Sequence, residues 1–289
     1  MIPKITAPQG TLFSAAFWQT FRQNFRQKYS FALLFFILFI AFWHILSLFL
    51  PPYALPSPYA VLLTFFEQFP LIMKHARGTL AAALLGLFIA TIFALILAFL
   101  MDMLRTVYKL LYPAAVMSQT IPLIAVAPLF VLWFGFGFLP KILAVVLVCF
   151  FPMLINLLKS FRALDSDYID LMRSMGANRW QLICHVKLPG SIPAFFAGLR
   201  ISATYAVMGA VIGEWLGGAS GLGVYLIRSQ KSFAAAQLFA AIVTIMLLSI
   251  GLFLFVLLFE GLTVRQGGNE RNQYHHQHQK YSYHTGGIH

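Results

Sequence analysis

Six stretches of this chain are too long and too apolar to belong to a fold that lives in water. The first, Phe31 to Leu50, runs for twenty residues with His44 as its only ionisable side chain. Twenty helical residues rise about 30 Å, the thickness of the hydrocarbon in a bilayer. Comparable runs follow at about 76–100, 112–133, 138–160, 191–212 and 236–260. Composition agrees: 60% of residues are hydrophobic and 10% charged, against about 25% charged in a soluble domain. Backbone groups in lipid must be satisfied within their own segment, so the expectation is an all-α membrane protein with six transmembrane helices. Spans three and four carry Pro113, Pro122, Pro128 and Pro152, which neighbouring helices in a bundle can absorb.

The net charge of +12 would suggest nucleic acid in a soluble chain. Here the cations fall between apolar runs, where they set orientation. With the N-terminus in the cytoplasm, fifteen of the twenty Lys and Arg residues lie inside and five outside. That bias favours six spans with both termini cytoplasmic. Residues 1–29 hold Lys4, Arg22, Arg26 and Lys28 with no apolar core between them, so they are expected to be a cytoplasmic segment and not a signal peptide. Residues 30–262 are expected to form the transmembrane domain. Residues 263–289 form a polar tail with five histidines whose spacing matches no closed metal site, and disorder is expected there.

The most informative segment joins the fourth and fifth spans, residues 164–189. Tyr168, Leu171, Met172 and Met175 recur at helical spacing, while Asp167, Asp170, Arg173 and Ser174 fall mainly on the other face. Gly176 can end this helix in a left-handed conformation, and Asn178 can cap a second one. In that second helix Trp180, Ile183 and Val186 are the apolar positions, and Pro189 marks its transition to the fifth span. Such a helix can lie on a membrane surface or dock in a partner's groove. Physical reasoning alone leaves both open.

The same segment resembles the signature loop of permeases in binding-protein-dependent ATP-binding-cassette importers. That pattern is Glu-Ala-Ala, three residues, Gly, nine residues, Ile, one residue, Leu-Pro. Here Asp170, Leu171 and Met172 stand for the first three, Gly176 for the glycine, and Val186, Leu188 and Pro189 for the end. Leu55-Pro56-Ser57-Pro58, and the glycine-rich stretch from Gly213-Glu214-Trp215 to Gly221-Leu222-Gly223, resemble the nitrate, sulfonate and taurine subgroup. The stretches Ile227–Phe233 and Phe239–Ile242 look most similar to pyrimidine and riboflavin permeases. The likeness covers about residues 30–262.

The resemblance implies a type I importer fold in the bacterial inner membrane, with a cytoplasmic coupling helix at about 168–177. It implies two cytosolic ATPase subunits, an extracytoplasmic binding protein and a second permease copy. It also implies that ATP and Mg are bound by the ATPase and that this chain needs no cofactor. No Gly-x-x-x-x-Gly-Lys-Ser/Thr loop occurs in the sequence. Polar residues within or beside the spans are the pathway candidates: Gln119, Asn156, Tyr205 and Glu214. For Glu214, a solvated or cap-forming carboxylate is the competing expectation. A secondary transporter typically has acids at mid-span, whereas Asp102 and Glu260 lie near span ends. A membrane-embedded enzyme needs clustered His, Asp, Glu or Ser, which the sequence does not provide.

Overall fold

The computed structural model describes residues 31, 33–164 and 166–284, with side chains for all of these except 118, 166–168 and 264–284. The segment 1–29 lies outside the described residues. In order the helices are α1 (Leu33–Phe49), α2 (Pro58–Glu67), α3 (Phe69–Met103), α4 (Arg105–Ser118), α5 (Leu123–Phe134), α6 (Leu139–Ala163) and α7 (Ser166–Ser174). After them come α8 (Arg179–Leu182), a π-helical turn (Ile183–Lys187), α9 (Leu188–Gly217), α10 (Leu222–Lys231) and α11 (Ala235–His284). Among the described residues four stretches are long and apolar enough to cross a membrane: Phe69–Met103, Leu139–Ala163, Arg179–Gly217 and Ala235–Thr263. The helix α11 continues to His284, so the polar tail does not interrupt it.

Helices α3, α6 and α9 form the centre. Lipid tails are as apolar as leucine, so helices in a bilayer associate through close packing and not through escape from water. The sequence supplies small residues for this. Ala83, Gly86, Ala90, Ala94 and Ala98 on α3 and Gly198, Ala203, Ala206, Gly209 and Ala210 on α9 are all buried. They receive the larger Val145, Met153, Leu154 and Leu157 of α6. The Ser202 hydroxyl donates to the Cys149 carbonyl at 2.8 Å, and the Cys149 thiol donates to the Ser202 carbonyl at 3.2 Å, pinning the two helices. A Cβ on Gly209 would lie 2.8 Å from Val148 Cγ2 and 3.1 Å from the Val145 Cα. Gly209→Leu is therefore expected to force α6 and α9 apart and to lower the thermal unfolding midpoint in detergent, with little effect expected at the uncrowded Gly251.

Helices α3 and α6 run in one sense and α9 in the other. Gly86 faces Val145 and Phe99 meets Phe161, whereas Gly213 faces Lys141 and Gly198 faces Asn156. Two ends result. Thr79, Lys141 and Glu214 gather at one, and Asp102 and Lys187 at the other. From Thr79 to Asp102 the rise along α3 is about 35 Å, close to one hydrocarbon thickness.

The third apolar run departs from the expected single helix. It breaks at Gln119–Pro122 into α4 and α5. Pro122 has no N–H and disfavours a helical residue before it, and the chain turns through Gln119 N–H to Val116 O and Thr120 N–H to Met117 O. Tyr108 and Ala115 of α4 pack with Met101 and Phe161 at the Asp102 end, while Val131 of α5 reaches Gly217 at the Glu214 end. The two pieces together span the bundle. Pro113, Pro128 and Pro152 sit inside helices, as expected for a bundle.

Candidate functional site

The loop after α6 folds as its residues dictate. Helix α7 ends in a Schellman motif: Ala177 N–H reaches Met172 O at 3.0 Å and Gly176 N–H reaches Arg173 O at 2.9 Å. This requires a left-handed residue, and Gly176 has φ +84°. Asn178 then starts α8 with a capping box. Its side chain accepts from Gln181 N–H and the Gln181 side chain accepts from Asn178 N–H, both at 2.8 Å. Leu171 and Met175 remain 55% and 75% exposed, and Met172 is half-buried, so the apolar stripe of α7 is uncovered in the single chain. Asp170 accepts from Arg173 at 3.2 Å on the opposite surface. Tyr168, the fourth member of the stripe, lies outside the described side chains. Val186 is buried, and Leu188 and Pro189 are exposed.

Pro189 does not end the second helix. Arg179 to Gly217 is one continuous rod. A proline clashes with the carbonyl four residues back in an α-helix, and here the preceding turn widens into the π form, with Leu188 N–H reaching Ile183 O. The same turn holds Lys187, whose ammonium donates to both oxygens of Asp102 at 2.6 Å. Arg179 donates to the Met103 carbonyl at 3.4 Å. The loop is thereby tied to the end of α3.

At the other end a second arrangement appears. Glu214 is 1% exposed. Its carboxylate accepts from the Thr79 hydroxyl at 3.0 Å and from Gly223 N–H at 2.9 Å, and lies 3.5 Å from the Lys141 ammonium. Thr79 accepts from Leu222 N–H at 2.8 Å, His75 Nδ1 accepts from Gly221 N–H at 3.0 Å, and Lys141 donates to the Ser220 carbonyl. Three successive amides at the start of α10 are thus capped by side chains from α3 and α9, and a carboxylate sits where the helix dipole favours it. Gly221 has φ +126°, and a Cβ there would meet the Glu214 carboxylate at 2.0 Å. Glu214 is a buried cap in the single chain, its carboxylate held by Thr79, Gly223 and Lys141. Sequence reading missed Thr79, His75 and Lys141. The available signal was a lysine and a carboxylate at the same end of adjacent apolar runs.

The remaining pathway candidates do not converge on one site. Gln119 is exposed at the α4–α5 break and Tyr205 is exposed on α9. Asn156 donates to the Pro152 carbonyl of its own helix at 2.7 Å and lies against Gly198. Arg200 and Glu260 form an ion pair at 2.6 Å between α9 and α11. Among the described residues no cluster of His, Cys, Asp and Glu suits a metal ion.

A helical bundle with four long apolar rods and a capped helix–turn–helix between two of them has the build of an integral membrane protein. The chain belongs to the family described as binding-protein-dependent transport system inner membrane component, matched over residues 82–263. It is 36% identical over 217 residues to the formylaminopyrimidine transport permease protein ThiX of Halalkalibacterium halodurans, covering 74% of this chain and 87% of that one. It is also 36% identical over 217 residues to the riboflavin transport system permease protein RibX of Chloroflexus aurantiacus, covering 74% and 81%. The putative aliphatic sulfonates transport permease protein SsuC of Bacillus subtilis is 33% identical over 195 residues, 65% of this chain and 69% of that one. In fold the chain is similar to the inward-facing MetNI methionine ABC transporter, with TM-score 0.57 at 18% identity over 69% of this chain and 97% of that one.

The chain is therefore the membrane-spanning subunit of an ABC importer and an integral protein of the inner membrane. It works with an ATPase and a substrate-binding protein, and ATP hydrolysis belongs to separate subunits.

Proposed function

We propose that two copies of this chain form the pathway of an importer for a small heterocycle of the pyrimidine or flavin kind. The observation that carries the mechanism is the uncovered apolar stripe of α7, held rigidly by the Gly176 turn, the Asn178 capping box and the Lys187–Asp102 pair. In this reading Leu171, Met172 and Met175 dock in a groove of a cytosolic ATPase. The ATPase binds ATP with Mg, and this chain carries no cofactor. Movement of α7 is transmitted through α8 and the π turn into α9. Gln119, Asn156, Tyr205 and Glu214 are the candidates for the wall of the pathway.

For the substrate class, relatives named for formylaminopyrimidine and riboflavin match over 217 residues at 36% identity. The taurine permease TauC of Escherichia coli matches over 170 residues at 31%. The test is uptake into proteoliposomes holding the permease, its ATPase and its binding protein. ATP-dependent accumulation of radiolabelled formylaminopyrimidine, undiminished by excess taurine, is expected. Taurine uptake with no pyrimidine uptake would reverse the assignment.

The topology within this proposal is six crossings with both termini cytoplasmic, the broken α4–α5 pair serving as the third. In a background lacking Cys149 and Cys184, cysteine at position 138 should react with an impermeant reagent from outside and cysteine at position 178 only from inside. The opposite pattern would invert the orientation.

A further inference from the structure

The junction of α3, α4 and the loop helices carries two clefts. One, of about 690 Å³, lies between the α3–α4 turn and the α7–α8 segment, with Arg105, Arg173, Arg179 and Lys187 in its wall. The other, of about 420 Å³, continues on the far side of α4 and adds Lys109 and Arg162. Asp102 and Arg105 line both, so the clefts are contiguous. Asp102 is the one acid among the described lining residues, and it is neutralised by the two bonds from Lys187. Arg173 is shared with Asp170 at the surface and Arg179 leans on the Met103 carbonyl. Arg105 has no hydrogen-bond or ion-pair partner among the described residues. The clefts are strongly cationic.

Their depth in the bilayer is fixed by the helices around them. Between Arg77 and Asp102 α3 carries no charge, so Asp102 marks the point where α3 leaves the hydrocarbon. Tyr108 and Tyr112 stack at 4.8 Å, and the Arg162 guanidinium lies over the Tyr108 ring at 4.0 Å. Tyrosine and arginine at this level are typical of the headgroup layer. The second cleft has Met101, Leu158 and Phe161 as its apolar floor, and Leu104 lines the first. Cations above an apolar floor match a molecule with an anionic head and a hydrocarbon tail.

We propose that these clefts bind the phosphate of an anionic phospholipid, with the headgroup between Arg105 and Arg162 and an acyl chain along the Leu158–Phe161 floor. A free phosphate shares the head chemistry but would leave the floor unused. A basic pocket between helices at a membrane boundary is a recurrent setting for such headgroups.

The test uses the full chain in a neutral detergent, following its thermal unfolding midpoint during titration with dioctanoyl phosphatidylglycerol, dioctanoyl phosphatidylcholine or inorganic phosphate. Phosphatidylglycerol is expected to stabilise saturably and at least about tenfold more tightly than phosphatidylcholine. Arg105→Gln and Arg162→Gln are each expected to weaken it about fivefold, the effect of one cation at an anionic surface. Equal response to the two lipids, or unaltered phosphatidylglycerol affinity in both variants, overturns the proposal. So does inorganic phosphate that reproduces the shift and competes with the lipid, which marks a free-anion site. Loss of ATPase co-purification in the variants with lipid binding intact would assign the clefts to a protein partner instead. Should a variant fail to fold, the comparison of lipids on the native chain decides alone.

Discussion

Lys141→Met is expected to destabilise the folded permease by about 3–5 kcal/mol, the usual cost of removing one partner from a buried ion pair. Lys141 and Glu214 have side chains 4% and 0% exposed, so water cannot replace the lost ammonium. The carboxylate would keep the Thr79 hydroxyl and Gly223 N–H but lose its counter-charge. The double variant Lys141→Met with Glu214→Gln should recover most of the loss, because a neutral amide can still accept from Gly223 N–H. Thermal unfolding of the four proteins in detergent closes the cycle. A single Lys141→Met variant that unfolds at the native temperature would show that the pair does not hold α10 in place. Gly221→Val should be as damaging as Lys141→Met. It puts a β-branched residue at φ +126° and drives its Cβ into the Glu214 carboxylate.

Gly176→Val is expected to abolish transport while leaving insertion and bundle packing intact. A Cβ at Gly176 meets nothing within 4 Å, so no clash is involved. The cost is conformational: φ is +84°, where side chains branched at Cβ are strongly disfavoured. Chain direction after α7 would change, and Leu171 and Met175 would no longer be presented together. Asparagine tolerates the left-handed region, so Gly176→Asn should retain most uptake. Uptake and co-purification with the ATPase, measured side by side, separate the outcomes. Normal activity of the valine variant would show that the turn is not needed to present α7. Asp170→Lys should weaken docking in the same assay, since it replaces the contact with Arg173 by a like-charge pair on α7.

The legible parts of this structure were the local ones. Gly176, Asn178 and Gln181 act within a few residues of one another, and their capping chemistry follows from side-chain type and spacing. The apolar runs follow equally from bilayer thickness. The cap on α10 was less accessible, because its members are far apart in the chain: Thr79 is 135 residues from Glu214 and His75 is 146 from Gly221. Only the antiparallel packing of α9 on α3 and α6 brings them together. The break in the third span had a local cause in Pro122, but Pro113, Pro128 and Pro152 are similar in sequence and lie inside helices. What separates them is the packing around each, and no single-chain pattern records it.

The π turn at Ile183–Lys187 has a bearing on how this permease could be retuned. A π turn carries one residue more than the α turn it replaces, and one residue rotates everything beyond it by about 100° around the helix axis. The wide turn therefore acts as a phase adjuster between α8 and α9. Deleting a residue there ahead of Lys187 would leave the Gly176 and Asn178 caps intact, yet would rotate α7 and α8 by about 100° about the axis of α9. The direction in which α7 faces relative to α9 is thus a matter of helical phase, set by one amino acid.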